Sequence, residues 1–87
     1  MSYTVVWSAV AEQKLAAIWN TANDRVAVAA AANGIDLALS RKPRLCGESR
    51  GGVLRVIFAG PLGLEYEIIE DDRQVRVLTV WQVRQSI

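Results

Sequence analysis

Between positions 41 and 55 stand five cations, Arg41, Lys42, Arg44, Arg50 and Arg55, with Glu48 the only acid among them. Cations in such density can hold phosphate even in a chain close to neutral overall. Arg55 is the sharpest candidate, because a guanidinium on a strand can grip a phosphate through two parallel hydrogen bonds. Glu48, beside Arg50, could act as a base. Arg41, Lys42, Arg44, Arg50 and Arg55 form the candidate phosphate-binding set. The competing reading pairs Arg55 with Glu65 or Glu67 across a sheet and leaves Glu48, Arg50 and Arg84 solvated.

Other chemistry is thinly supported. The chain has no histidine, which removes the usual base near neutral pH and the commonest metal ligand. Cys46 is the only cysteine, so neither an internal disulfide nor a thiolate cluster is available. Glu65 and Glu67, two apart on a strand, share a face, but two carboxylates without a third ligand favour ion pairing over a metal. No cofactor is expected. Trp7, Trp19, Trp81 and Tyr66 read as core aromatics.

The elements that must position these residues can be read from pattern. All 87 residues fit one domain, residues 1–87. A hydrophobic fraction of 52% and a charged fraction of 22% describe a globular chain. Its core is small enough that a partner or a homodimer would add useful burial. No apolar run approaches the ~20 residues that span a bilayer, and no leader pattern opens the chain. The expectation is therefore cytoplasmic, with no membrane partner.

Tyr3–Trp7 reads as a strand. Ser8 caps a helix whose buried stripe is Ala11, Leu15, Ile18 and Ala22. Asp24 caps a second helix with a stripe of Val28, Ala31, Ile35 and Leu39 or Ala38, in which Gly34 marks a close contact. Pro43 stops that helix. The short link makes the two an antiparallel hairpin. Leu45–Gly52 reads as a loop. Strands follow at Val53–Ala59, Leu64–Glu70 and Val75–Val83, the last one central because it is apolar at both parities.

The spacing also sets register. A turn at Asp71-Asp72 places Glu67 opposite Arg76 and groups Tyr66 and Ile68 with Val75 and Val77. An odd loop, Pro61-Leu62-Gly63, then puts Leu54, Val56 and Phe58 in the core. That choice keeps an unpaired guanidinium out of it. It gathers Arg55, Glu65, Glu67, Arg76, Gln82 and Arg84 on the sheet face away from the helices. The fold class is α+β, in the order β-α-α-β-β-β, an antiparallel sheet with an N-terminal helical hairpin on one face.

Four stretches in this order resemble the RelE/ParE superfamily of bacterial toxin–antitoxin toxins: Tyr3–Ser8 running into Ala11, Glu12 and Leu15; Asp24–Leu39 leading to Arg41-Lys42-Pro43; Ser49–Phe58; and Val75–Trp81. The resemblance covers nearly the whole chain. It implies the toxin component of a type II toxin–antitoxin system, bound by a cognate antitoxin whose tail wraps it. It also implies a toxin–antitoxin hetero-oligomer or a homodimer. RelE-like members cut messenger RNA in the ribosome, which would make Arg55, Arg84 and Glu48 catalytic in a metal-independent endoribonuclease. ParE-like members poison DNA gyrase without being nucleases, and degenerate relatives only bind their antitoxin. The end of the chain, Gln82–Ile87, lacks the tyrosine or histidine common in family nucleases.

Overall fold

The computed structural model describes residues 2–83. Strand β1 (Thr4–Trp7) leads into helices α1 (Ala9–Thr21) and α2 (Arg25–Arg41). Strands β2 (Glu48–Gly51), β3 (Leu54–Ala59), β4 (Leu62–Ile69) and β5 (Gln74–Gln82) follow, with a 3₁₀ turn at Glu70–Asp72. The five strands form one sheet in the order β1-β5-β4-β3-β2. β1 runs parallel to β5, and every other pair is antiparallel. The sheet is therefore mixed, not antiparallel throughout. The pairing of β1 closes around both helices, so no tight turn constrains its direction.

The helix starts follow their caps. Ser8 Oγ accepts the Ala11 amide at 3.1 Å and donates to the Leu78 carbonyl at 3.0 Å, tying the start of α1 to β5. Asp24 Oδ1 accepts the Ala27 amide at 3.0 Å and starts α2. The expected stripes face the sheet: Ala11 and Ile18 from α1, and Val28, Ala31, Ile35 and Leu39 from α2, are all buried. They meet Leu62, Leu64, Tyr66, Ile68, Val75, Val77 and Val80. Gly34 is different. It is exposed, and a Cβ there would meet nothing, so it marks no close contact.

Glu67 lies opposite Arg76, as the spacing requires, and their side chains pair at 3.3 Å. Tyr66 and Ile68 sit opposite Val77 and Val75. Between the pairs Tyr66–Val77 and Glu65–Thr79 the register shifts, leaving Leu78 unpaired in a bulge. The bulge switches β5's parity, so Val75, Val77 and Val80 all face the helices. β5 is apolar at both parities for this reason as well as for being flanked by β1 and β4.

Three expectations are corrected. The first hairpin turns in two residues, Gly60-Pro61, because Ala59 pairs with Leu62. Gly60 has φ +53°, the conformation that the first central position of a type II′ turn requires. That register sets Arg55 opposite Tyr66, on the helix side, and turns Leu54, Val56 and Phe58 to the outer face. Gln82, paired with Leu62, also has helix-side parity. Lastly, residues 48–51 are not loop but the edge strand β2. It is wholly exposed, so no apolar alternation announces it.

Candidate functional site

Two regions concentrate chemistry: the segment between α2 and β2, and the outer face of the sheet. The first is built around Arg55. Its Nη2 donates to the carbonyls of Arg44 (2.9 Å), Cys46 (3.3 Å) and Gly47 (3.3 Å), and its Nε to Tyr66 Oη (3.3 Å). The Tyr66 hydroxyl lies 2.8 Å from the Pro43 carbonyl and 2.6 Å from that of Cys46, so two carbonyls share its one proton. Tyr66 is fully buried. Burial pushes its phenol above the usual tyrosine value, with Arg55 opposing part of the rise. Together the two side chains pin residues 43–47. Turning Arg55 inward carries little desolvation penalty because carbonyl dipoles receive it. Gly47 completes the seat. Its φ is +65°, and a Cβ there would run into the Val56 carbonyl oxygen.

The remaining cations of this region are spread out. Arg44 donates to Glu70 Oε2 from Nη2 (2.7 Å) and Nε (3.2 Å). Glu70 also accepts from Tyr3 Oη (2.8 Å) and Arg73 Nη1 (3.3 Å). The Arg44 and Tyr3 hydrogen bonds hold its carboxyl below the ordinary value. Arg41, Lys42 and Arg50 are exposed, and none forms an ion pair among the described residues. Arg84 lies outside the described residues.

The outer face carries different chemistry from the one expected. Val56 is flanked in register by Glu48 on β2 and Glu65 on β4, while Glu67 pairs with Arg76. Glu48 and Glu65 have no cation partner among the described residues. Beyond them Phe58 and Trp81 stack edge to face, centroids 6.0 Å apart, over Gly63. Trp81 and Trp19 are thus surface residues and not core. Glu48 and Arg55 occupy opposite faces, because their partners Val56 and Tyr66 do. The structure does not bring this base and this guanidinium together. Sequence reasoning missed the Phe58–Trp81 pair, for which Gly63 in a strand was the available signal. Among the described residues no cluster of three metal-ligating side chains occurs, and no helix is long and apolar enough to cross a membrane.

The sequence matches no family model, and no curated protein matches it. Solved structures do match. A chain of the toxin–antitoxin complex RelBE2 from Mycobacterium tuberculosis aligns with a TM-score of 0.77 at 24% identity, covering 97% of this chain and 100% of that one. A chain of the chromosomal ParDE system of P. aeruginosa aligns at 0.67 and 13% identity, covering 94% and 97%. The isolated RelE toxin of E. coli aligns at 0.64 and 19% identity, covering 97% and 87%. Two helices on one face of a five-stranded mixed sheet, in this order and with these likenesses, give the chain the RelE/ParE toxin fold.

Proposed function

We propose that the chain is the toxin-type member of a toxin–antitoxin pair in the bacterial cytoplasm, held by a cognate antitoxin, and that it acts by binding a protein, as ParE-like toxins do with DNA gyrase, and not by cutting RNA. The fold supports the toxin-type role. What supports this mode of action is the outer sheet face, where Glu48 and Glu65 have no cation partner among the described residues and Arg55 is turned away beneath it. A phosphate brought within 4 Å of either carboxylate would meet a repulsion of about 1–4 kcal/mol, depending on solvent exposure. Arg55 positions the 43–47 segment through Nε and Nη2, so three of its five N–H donors are already engaged.

One observation favours the nuclease reading. Arg41, Lys42 and Arg50 are exposed around the segment that Arg55 pins, and they could track the backbone of ribosome-bound messenger RNA. Expressing the chain in bacteria, alone and with any small reading frame found beside its gene, separates the two. The protein-binding reading expects slowed growth, relief by the neighbour, altered plasmid supercoiling and unchanged transcript 5′ ends. New transcript 5′ ends that appear with the chain alone and vanish when the neighbour is co-expressed would establish the nuclease instead. Normal growth with a tight complex would leave only an antitoxin-binding domain.

A further inference from the structure

The strand register orders the outer face of the sheet into rows. Glu48, Val56, Glu65 and Thr79 are successive partners across β2, β3, β4 and β5. Two residues further along, Phe58, Gly63 and Trp81 form the next row. Neighbouring strands lie about 4.8 Å apart, so the backbones of Glu48 and Glu65 stand roughly 10 Å apart with Val56 between them. The rise over two residues separates the rows by about 7 Å.

The two rows differ in chemistry. Phe58 is 56% exposed and Trp81 37% exposed, and their rings meet edge to face. A Cβ at Gly63 would lie 2.7 Å from the Trp81 ring and 2.9 Å from Phe58 Cδ1, so both rings rest on bare backbone in a fixed seat. Covering Gly63 accounts for their inner faces and leaves the outer faces in water. In the adjoining row Val56 is 6% exposed and gives the carboxylates on either side an apolar floor. Neither Glu48 nor Glu65 has a cation partner among the described residues, whereas Glu67 takes Arg76. An exposed apolar centre marks a surface that another molecule covers. Charge of one sign at its edge selects a partner of the opposite sign.

We propose that this face docks an extended segment of a partner protein carrying an apolar residue and, two positions on, an arginine. The apolar side chain lies against Phe58 and Trp81, and the guanidinium pairs with Glu65. In an extended chain, side chains two positions apart share a face at a spacing of about 7 Å, the same step that separates the rows. A guanidinium suits the place better than an ammonium. Its planar fork takes a carboxylate by two parallel hydrogen bonds and also stacks on aromatic rings. A second basic side chain, reaching across Val56, meets Glu48. This partner chemistry rests on the protein-binding reading above and adds what the bound protein must present.

The test uses the full chain, ¹⁵N-labelled, and three short peptides with blocked ends and no other charge. The first carries leucine, threonine and arginine in that order. The second replaces the arginine by citrulline, its neutral isostere. The third sets leucine and arginine side by side, hence on opposite faces of an extended chain. The expected result is about tenfold tighter binding of the first peptide than of either other. That advantage should shrink as salt rises, and shifts should appear at the Trp81 indole, Gly63 and Glu65. Glu65→Gln should remove the preference for arginine over citrulline, and Phe58→Ala should weaken both, with circular dichroism unchanged in each. Equal binding of the arginine and citrulline peptides, no binding at about 1 mM, or shifts centred on Trp7 and Trp19 would overturn the proposal. Expression in bacteria keeps its failure apart from that of the protein-binding reading. If Glu65→Gln slows growth and alters supercoiling as the unchanged chain does, the target is held elsewhere, so this contact is wrong and the reading stands. Transcript cleavage with unaltered supercoiling removes the reading, and this partner with it.

Discussion

Removing the Arg55 side chain should unseat the segment between α2 and β2 and weaken the whole domain. In Arg55→Ala the carbonyls of Arg44, Cys46 and Gly47 and the Tyr66 hydroxyl lose their guanidinium donor. Nη2 has two protons and Nε one, so three hydrogen bonds' worth of donor is lost. At about 0.5–1.5 kcal/mol net for each, with one short and three long contacts, the cost comes to roughly 2–4 kcal/mol. That is a large share of the ~5–15 kcal/mol typical of a domain. Tyr66→Phe should cost about 1–3 kcal/mol, because the buried Pro43 carbonyl and the part-buried Cys46 carbonyl lose their hydroxyl donor. The double variant should fall short of the sum by about 0.5–3 kcal/mol, since both side chains serve the same carbonyls. Urea unfolding of the four proteins gives the cycle, and amide shifts of Cys46 and Gly47 report the loop. A loss below about 0.5 kcal/mol for Arg55→Ala, with those shifts unchanged, would show that the guanidinium does not hold the segment and is free for phosphate.

Further expectations concern stability and pH. Gly34→Ala should raise unfolding stability by about 0.5–1 kcal/mol in thermal melts, because the site is helical, exposed and open to a Cβ. Gly47→Ala should cost about 2–4 kcal/mol in the same melts, since it combines a left-handed φ with collision against the Val56 backbone. In an NMR titration Glu70 should titrate below its ordinary 4.5, and Arg44→Ala should return it upward. Because its folded value is lowered, the contribution of the Tyr3–Glu70–Arg44 network is present above that ordinary value and is lost as pH falls through the depressed one. A Glu70 that titrates normally would show the network to be absent in solution.

Much of the fold was written in local pattern. The stripes Ala11–Ile18 and Val28–Leu39, the caps Ser8 and Asp24, and the cross-strand pair Glu67–Arg76 each depend on neighbours a few residues away or across one tight turn. Sequence pattern and structure part where the partner is distant or is backbone. An unpaired guanidinium on the helix side is costly, which favours the outer face for Arg55, yet on the helix side Arg55 is paired, by carbonyls from a segment that no side-chain pattern reveals. The Gly60-Pro61 dipeptide carries the observed register, through the positive φ that a two-residue turn needs. β2 was invisible because Glu48–Gly51 is polar, short and exposed. The bulge at Leu78 lets β5 change parity, which sequence alternation registers only as a strand apolar on both sides. For the site, charge counts located the cations correctly along the chain. They could not show that Arg44 and Arg76 are consumed by Glu70 and Glu67, or that Glu48 and Arg55 part to opposite faces.

The most direct measurement is a titration of the ¹⁵N-labelled chain with a short single-stranded RNA at low salt. Weak shifts confined to Arg41, Lys42 and Arg50 are expected, disappearing as salt rises, with Val56, Glu65 and Thr79 unmoved. Saturable shifts across Val56, Glu65 and Thr79 would contradict it, for they would place phosphate on the face that the carboxylates are held to guard.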